Sequence, residues 1–410
     1  MKLQTIFSAW NDFWFAPRSP APMALYRIAF GFLMFIYGLL VIHDFDFWFG
    51  QYGVLSLKAS RFIYPAPAVN LFALMPSGNT WAMLFLSLFV LAAAMLTVGF
   101  MTRLSAIVVY VGFLSINHRL PLVMNSGNIF TQICALFLIF SDAGLVFSID
   151  RILRIARGKE VGQPLGKALW AQRLVQLQLS FLYFWTFFSK AHDKEWVNGV
   201  SIYYVSRDAT WRRMPIPFYE YLPAIKFYTW GTLLTEFLLG TLVWVLEYRY
   251  CILFAGFLFH LGLEYSMDLA LFQWTVIAAY LTFIEPQHQQ AFMERIRSII
   301  AGKFGGPAPV LYDGSCEVCM RLSRLIQAWD ILGRFSLVDS REKHGLLVYC
   351  KTDVPLSGFE AWKQIALRLP IFWLFVPLLF GPGVRIFMKK VFKRFSEHQR
   401  FLFGVQCLVS

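Results

Sequence analysis

Two short stretches of this chain carry side chains that do chemistry in proteins. The first, "FFSKAHDKEW" at 187–196, sets Lys190, His192, Asp193, Lys194 and Glu195 directly behind a long apolar run. A lysine at the edge of apolar surface is a candidate base, because burial disfavours its charged form. The second, "VLYDGSCEVC" at 310–319, places Cys316 and Cys319 in a CxxC pair after a short apolar segment. Cys316 falls at an expected helix start, where the dipole and free amides favour a thiolate, and Cys319 follows one turn later. Strand, CxxC, helix is the thioredoxin arrangement. No second CxxC follows, which speaks against zinc.

The elements that hold these residues follow from composition. The 410 residues are 58% hydrophobic and only 15% charged, against about a quarter charged in soluble domains. Apolar runs near the twenty residues a bilayer crossing needs occur at about 22–43, 79–100, 103–117, 128–148, 174–191, 227–247, 250–267 and 268–285. The expected fold is an α-helical multi-pass membrane bundle of about eight spans, 22–290, behind an interfacial N-terminal segment, 1–21. After a linker at 291–306, residues 307–410 read as a small α/β thioredoxin-like domain, with "RFSLVD" and "LLVYC" as strands. The basic amphipathic tail from Val384 suits an anionic lipid surface.

The net charge of +13 is read as topology, since no nucleic-acid-binding motif accompanies it. Arg151, Arg154, Arg157, Lys159, Lys167 and Arg173 crowd one loop, which the positive-inside rule makes cytoplasmic. Arg103 and Arg249, in expected turns, fall on the same side. Both termini are then cytoplasmic, in a cell inner or plasma membrane, and Lys190 lies at the external end of the fifth span.

His43, His118, His192 and His260 fall on that same external side. With Lys190 they would offer a base and several hydrogen-bonding groups in one partly dry site. The plain alternatives are a lysine snorkelling to the headgroups and a satisfied core histidine at 260. No two histidines stand four apart, and no metal is expected. Three charges lie within spans: Arg27, Asp142 and Glu236. The first two read as structural. Glu236, placed near mid-span, needs a partner, either Arg27 or a group on another helix.

Four stretches then resemble the HTTM domain, the membrane domain shared with vitamin K-dependent gamma-carboxylase: "ALYRIAFG" (24–31), "FSDAGLVFSID" (140–150), "LYFWTFFSKAHDKEWVNGVSIYYVSR" (182–207) and "FHLGLEYSMDLALFQW" (259–274). The resemblance implies that Lys190 matches the catalytic base and His260 the histidine of an "FH" motif. In the carboxylase such a lysine deprotonates a reduced quinone, which then becomes a strong base. A reduced, vitamin K-like quinone is the cofactor so implied, and a secreted peptide the possible substrate. The carboxylase's large lumenal domain has no counterpart here.

The C-terminal stretch resembles the DCC family of predicted thiol-disulfide oxidoreductases, whose signature is "YDGxCxxC", with further matches at 358–370 and 400–407. That resemblance implies Cys316 as attacking thiol, Cys319 as resolving thiol and Asp313 as a signature residue beside them. Three functions compete: carboxylase-like quinol chemistry at Lys190, a membrane-anchored thiol-disulfide oxidoreductase, and a non-enzymatic membrane partner or maturation factor for a secreted peptide. The topology sets the two sites about 30 Å apart.

Overall fold

The computed structural model describes residues 2–376 except 51–52, 64–68, 77, 161, 163, 165, 167, 219, 341–347 and 352–353, together with Phe387 and Lys390. The rest of the basic tail and Cys407 lie outside the described residues, as does the side chain of Cys350. The chain forms two compact units. One comprises 1–148 and 165–284, the other 149–164 and 285–410.

The first unit is all helix. Each of the eight apolar runs falls on one: Ala21–His43, Asn79–Val98, Thr102–Arg119, Ser126–Ile139, Trp170–Ala191, Leu222–Gly240, Leu246–Ser266 and Phe272–Tyr280. Among the described residues, Ala21–His43, Asn79–Val98 and Leu246–Ser266 are long and apolar enough to cross a membrane. The expected 128–148 span is shorter than the sequence suggests. Its helix stops at Ile139 and Asp142 lies in the turn beyond. The N-terminal segment is a helix, Lys2–Phe15, with Ile6, Phe7 and Trp10 exposed on it.

Glycines set the closest helix contacts. A side chain at Gly31 would strike the Thr97 backbone at 2.8 Å, and one at Gly38 would meet Val90 at 2.7 Å. Small residues at a seam are how membrane helices approach closely. Phe30, Met34, Leu86, Phe89 and Val109 fill the core behind this seam. The opposite faces carry bare apolar residues, among them Phe181, Trp185, Phe227 and Phe254. Exposed apolar side chains in such number are what a surface facing hydrocarbon requires.

Two intramembrane arginines are structural. Arg27, fully buried, donates to the Phe147 carbonyl at 2.5 Å. Arg249 sits inside a helix instead of an expected turn. It donates to the Val243 and Trp244 carbonyls at 3.0 and 3.2 Å, satisfying groups that a broken helix leaves free.

In the second unit four strands, β1 (Ala308–Tyr312), β2 (Phe335–Asp339), β3 (Val348–Lys351) and β4 (Val354–Leu356), form one sheet in the order β2-β1-β3-β4. β1 pairs parallel with β2, while β3 runs antiparallel to both β1 and β4. A parallel pair needs a crossover, here the helix Glu317–Trp329, and Val318, Leu322, Leu325 and Ile326 bury its inner face. Residues 291–306, expected as a linker, are mostly helix (Pro286–Phe304). The short helix Ile149–Ala156, from the expected cytoplasmic loop, joins this unit's core through Ile155.

Candidate functional site

The stretch 187–196 ends one helix and starts another. Lys190 is the penultimate residue of Trp170–Ala191. Asp193 then caps the single turn Lys194–Val197, its carboxylate accepting from the Glu195 and Trp196 amides at 2.9 and 3.2 Å. Capping fixes the entry angle of that turn, and the turn presents Trp196, whose ring lies 5.0 Å from the Lys190 ammonium. Gly199 follows at φ +76, where a Cβ would strike Trp230 at 2.8 Å. Trp230 donates to the Val197 carbonyl at 3.2 Å.

These contacts set Leu222–Gly240 antiparallel to Trp170–Ala191. Its C-terminal end packs at Phe184, where a side chain on Gly240 would meet the backbone at 2.9 Å. One turn before that end is Glu236, 4% exposed, and it forms an ion pair with Lys190. Glu236 thus lies in the last turn of Leu222–Gly240, the chain running on past it through Leu242–Trp244 to a hydrogen bond from Trp244 to Ser180 at 2.8 Å, and its partner is the lysine. Arg27 contacts the turn after Phe140, whose ring lies 5.8 Å from Trp170. That is twenty residues and about 30 Å along the helix from Lys190.

Below the pair runs a buried polar chain. Tyr183 lies seven residues before Lys190 on the same helix face. Its hydroxyl meets His260 Nε2 and, at 2.6 Å, the Tyr280 hydroxyl. His260 Nδ1 meets Gln273 Oε1. Gln273 is fully buried and His260 is 2% exposed. With the amide oriented this way, Nδ1 donates, so Nε2 accepts from Tyr183 and Tyr280 donates to Tyr183. The histidine is neutral in this arrangement. Gly256, one turn before His260, makes room for Tyr280, since a Cβ there would lie 2.6 Å from its hydroxyl.

Among the buried polar atoms of the described residues without a hydrogen-bond partner are Glu236 Oε2 and Gln273 Nε2. One accepts and one donates. A buried polar atom without a partner calls for an explanation, such as a bound water or a functional role.

Of the expected histidines, the structure brings only His260 into this chain. His43 is exposed with Nδ1 2.8 Å from Asp44, His118 faces the Val69 carbonyl at 2.9 Å, and His192 faces the Phe188 carbonyl at 2.7 Å. Sequence reasoning missed Tyr183, Tyr280 and Gln273. The signal for Tyr183 was its seven-residue spacing from Lys190.

The second candidate site lies on the loop between β1 and Glu317–Trp329. Asp313, 5% exposed, accepts from the Ser315 amide at 2.8 Å and its hydroxyl at 2.5 Å. The Gly314 amide donates to Asp339 at 2.9 Å, so the loop is tied to the end of β2. Cys316 occupies the N-cap position as expected. It is disulfide-bonded, whereas Cys319 is a buried thiol outside that bond. Burial pushes the Cys319 thiol up to about 11, and a hydrogen bond with the Asp313 backbone draws it down only in part. Among the described residues no cluster of three or more metal-ligating side chains occurs.

Comparison with known families matches two parts of the chain. The family model of the HTTM domain matches residues 15–288. That of the DCC1-like thiol-disulfide oxidoreductase matches residues 310–405. No solved structure matches the chain.

Proposed function

Because the chain belongs to the HTTM domain family and carries a thiol-disulfide oxidoreductase domain behind it, we propose that this membrane protein is an enzyme acting on a reduced quinone at the Lys190–Glu236 pair. The single observation carrying this reading is a buried carboxylate, ion-paired to Lys190, with one oxygen unpartnered. HTTM domains are linked to vitamin K-dependent carboxylase-type proteins, which makes a quinone the fitting partner. A reduced quinone supplies an ionisable ring hydroxyl. Lys190 and Glu236 bind and deprotonate that hydroxyl, Gln273 Nε2 donates to a second oxygen, and the Tyr280–Tyr183–His260 chain fixes Gln273. Trp196 covers the ammonium and limits water there.

The finer topology belongs to the same proposal: eight crossings, both termini cytoplasmic and the pair at the external face, where a secreted peptide has access. The test is oxygen uptake by the protein reconstituted in liposomes with a reduced naphthoquinone. Uptake in wild type that falls at least tenfold in Lys190→Ala supports the proposal. No uptake in either sinks it.

A second reading, a membrane-anchored thiol-disulfide oxidoreductase, is favoured by the match of residues 310–405 to the DCC1-like thiol-disulfide oxidoreductase family. The strand order β2-β1-β3-β4 with a parallel β1–β2 pair suits the thioredoxin-like fold this reading requires. Loss of insulin-disulfide reduction in Cys316→Ser, with no loss in Lys190→Ala, would favour it.

A further inference from the structure

The HTTM match ends at residue 288 and the DCC1-like match begins at 310. Between them runs the helix Pro286–Phe304, which takes no part in either candidate site. At the helical period its apolar side chains gather on one side, Phe292, Met293, Ile296, Ile299, Ile300 and Phe304 spanning an arc of about 140°. Glu294, Arg295, Arg297 and Ser298 occupy the remainder. In a water-soluble domain such a stripe is turned to the core. Here no residue of the helix is buried. Phe292, Ile299 and Phe304 are 63%, 53% and 72% exposed. Among the described residues, neither hydrophobic core draws a side chain from this helix.

Polar groups, not the stripe, tie the helix to its own unit. Arg297 donates to the Ile331 carbonyl at 2.9 Å, and a side chain on Gly333 would meet it at 3.1 Å. Arg334 donates to the Gly305 and Phe304 carbonyls at 2.8 and 3.1 Å, satisfying groups that the helix end leaves free. These contacts fix the rotation of the helix and leave its apolar side open.

We infer that Pro286–Phe304 lies along the surface of a bilayer containing anionic lipid, its stripe turned to the acyl chains. Connectivity is the first reason for this occupant. Phe283 belongs to the core of the membrane domain, and the helix starts three residues later, within about 10 Å of chain. Charge is the second: Arg295, Arg297 and Lys303 stand against Glu294 alone. Arg295 flanks the stripe, and Lys303 stands within it near the helix end, where its stem reaches past the apolar side chains to a phosphate. The helix is not among those long and apolar enough to cross a membrane, and a one-sided stripe with basic neighbours is what an in-plane helix needs. The strand β1 begins at Ala308, four residues after the helix ends. The thiol-disulfide oxidoreductase domain is thereby kept at the lipid surface, where its substrates must reach it.

The test uses the full chain in liposomes of phosphatidylcholine and phosphatidylglycerol. Benzoylphenylalanine in place of Phe292, Ile299 or Ser298, one position at a time, is irradiated and its adducts identified by mass spectrometry. Acyl-chain adducts at 292 and 299 should exceed those at 298 by about tenfold, as burial of one face requires. In phosphatidylcholine alone they should fall about fivefold, and the variant Arg295→Gln with Lys303→Gln should lose most of that dependence. Equal lipid adducts at all three positions, or none, would overturn the inference. Adducts from 292 to residues 377–410 would overturn it by showing that the chain's own tail covers the stripe, and adducts to a second copy by showing a dimer. Ile299→Glu removes no core side chain and should speed amide exchange across 289–304 in liposomes; unchanged exchange would overturn the inference as well.

Discussion

Gly256→Ala probes whether the buried chain around His260 is a connected unit. The new methyl would sit 2.6 Å from the Tyr280 hydroxyl and 2.9–3.0 Å from the Leu239 methyls. Leucine methyls can move by a rotamer change. The hydroxyl is the end of a stiff ring, so Tyr280 must swing and give up its 2.6 Å bond to Tyr183. An interhelical hydrogen bond in a membrane protein is worth about 0.6 kcal/mol. A buried hydroxyl left stranded costs about 1–3 kcal/mol more. Alanine in place of glycine inside a helix returns up to about 1 kcal/mol. The expected net loss is about 1–3 kcal/mol, dominated by the stranded hydroxyl. Tyr280→Phe alone removes that hydroxyl while Tyr183 still donates to His260, so it should cost under about 1 kcal/mol. In the double variant the methyl meets no oxygen, and stability should return to within about 0.5 kcal/mol of Tyr280→Phe. A double-mutant cycle by SDS-driven equilibrium unfolding in mixed micelles measures this. A neutral Gly256→Ala, or a strictly additive cycle, would refute the reasoning.

Two further outcomes follow from single sites. Gly199→Ala combines a left-handed backbone at φ +76 with a 2.8 Å approach to Trp230. It should cost about 1–3 kcal/mol in the same unfolding assay and raise the labelling rate of Lys190 as Trp196 loosens. The buried Cys319 thiol, pushed up to about 11 from an ordinary 9.0, should resist iodoacetamide at neutral pH and react as pH rises toward 11. Its folded form holds the proton more tightly than the unfolded chain does. That increment of stability is therefore full below pH 9.0, declines above it and is gone once pH passes through 11. Cysteine mapping by mass spectrometry across that range checks it, and fast alkylation at pH 7 would contradict it.

Lys190, His260 and Glu236 each stood out in the sequence because a charge or an imidazole in an apolar run is conspicuous. Their relations did not. The Lys190–Glu236 pair joins residues 46 apart, and its register depends on where two helices end. Composition placed span six at 227–247, which put Glu236 at mid-span. The helix breaks at Thr241 before the chain runs on as Leu242–Trp244, so Glu236 falls in its last turn beside a lysine that also ends its helix. Helix ends are what hydropathy reads least well, because capping and chain reversal decide them. Tyr183, Tyr280 and Gln273 were hidden for another reason: a tyrosine in an apolar run looks like packing until its hydroxyl finds a partner. Gln273 was nonetheless in view, since "FHLGLEYSMDLALFQW" holds both His260 and the amide it bonds.

The same logic explains why the C-terminal site was read only in part. Strand, loop and helix were legible from "VLYDGSCEVC", whereas the sheet order β2-β1-β3-β4 was not. The redox partner of Cys316 was not, because a CxxC advertises a local bridge and its spacing favours one. The structure instead leaves Cys319 buried and outside the disulfide that Cys316 makes. A thiol raised by burial is a poor nucleophile at neutral pH.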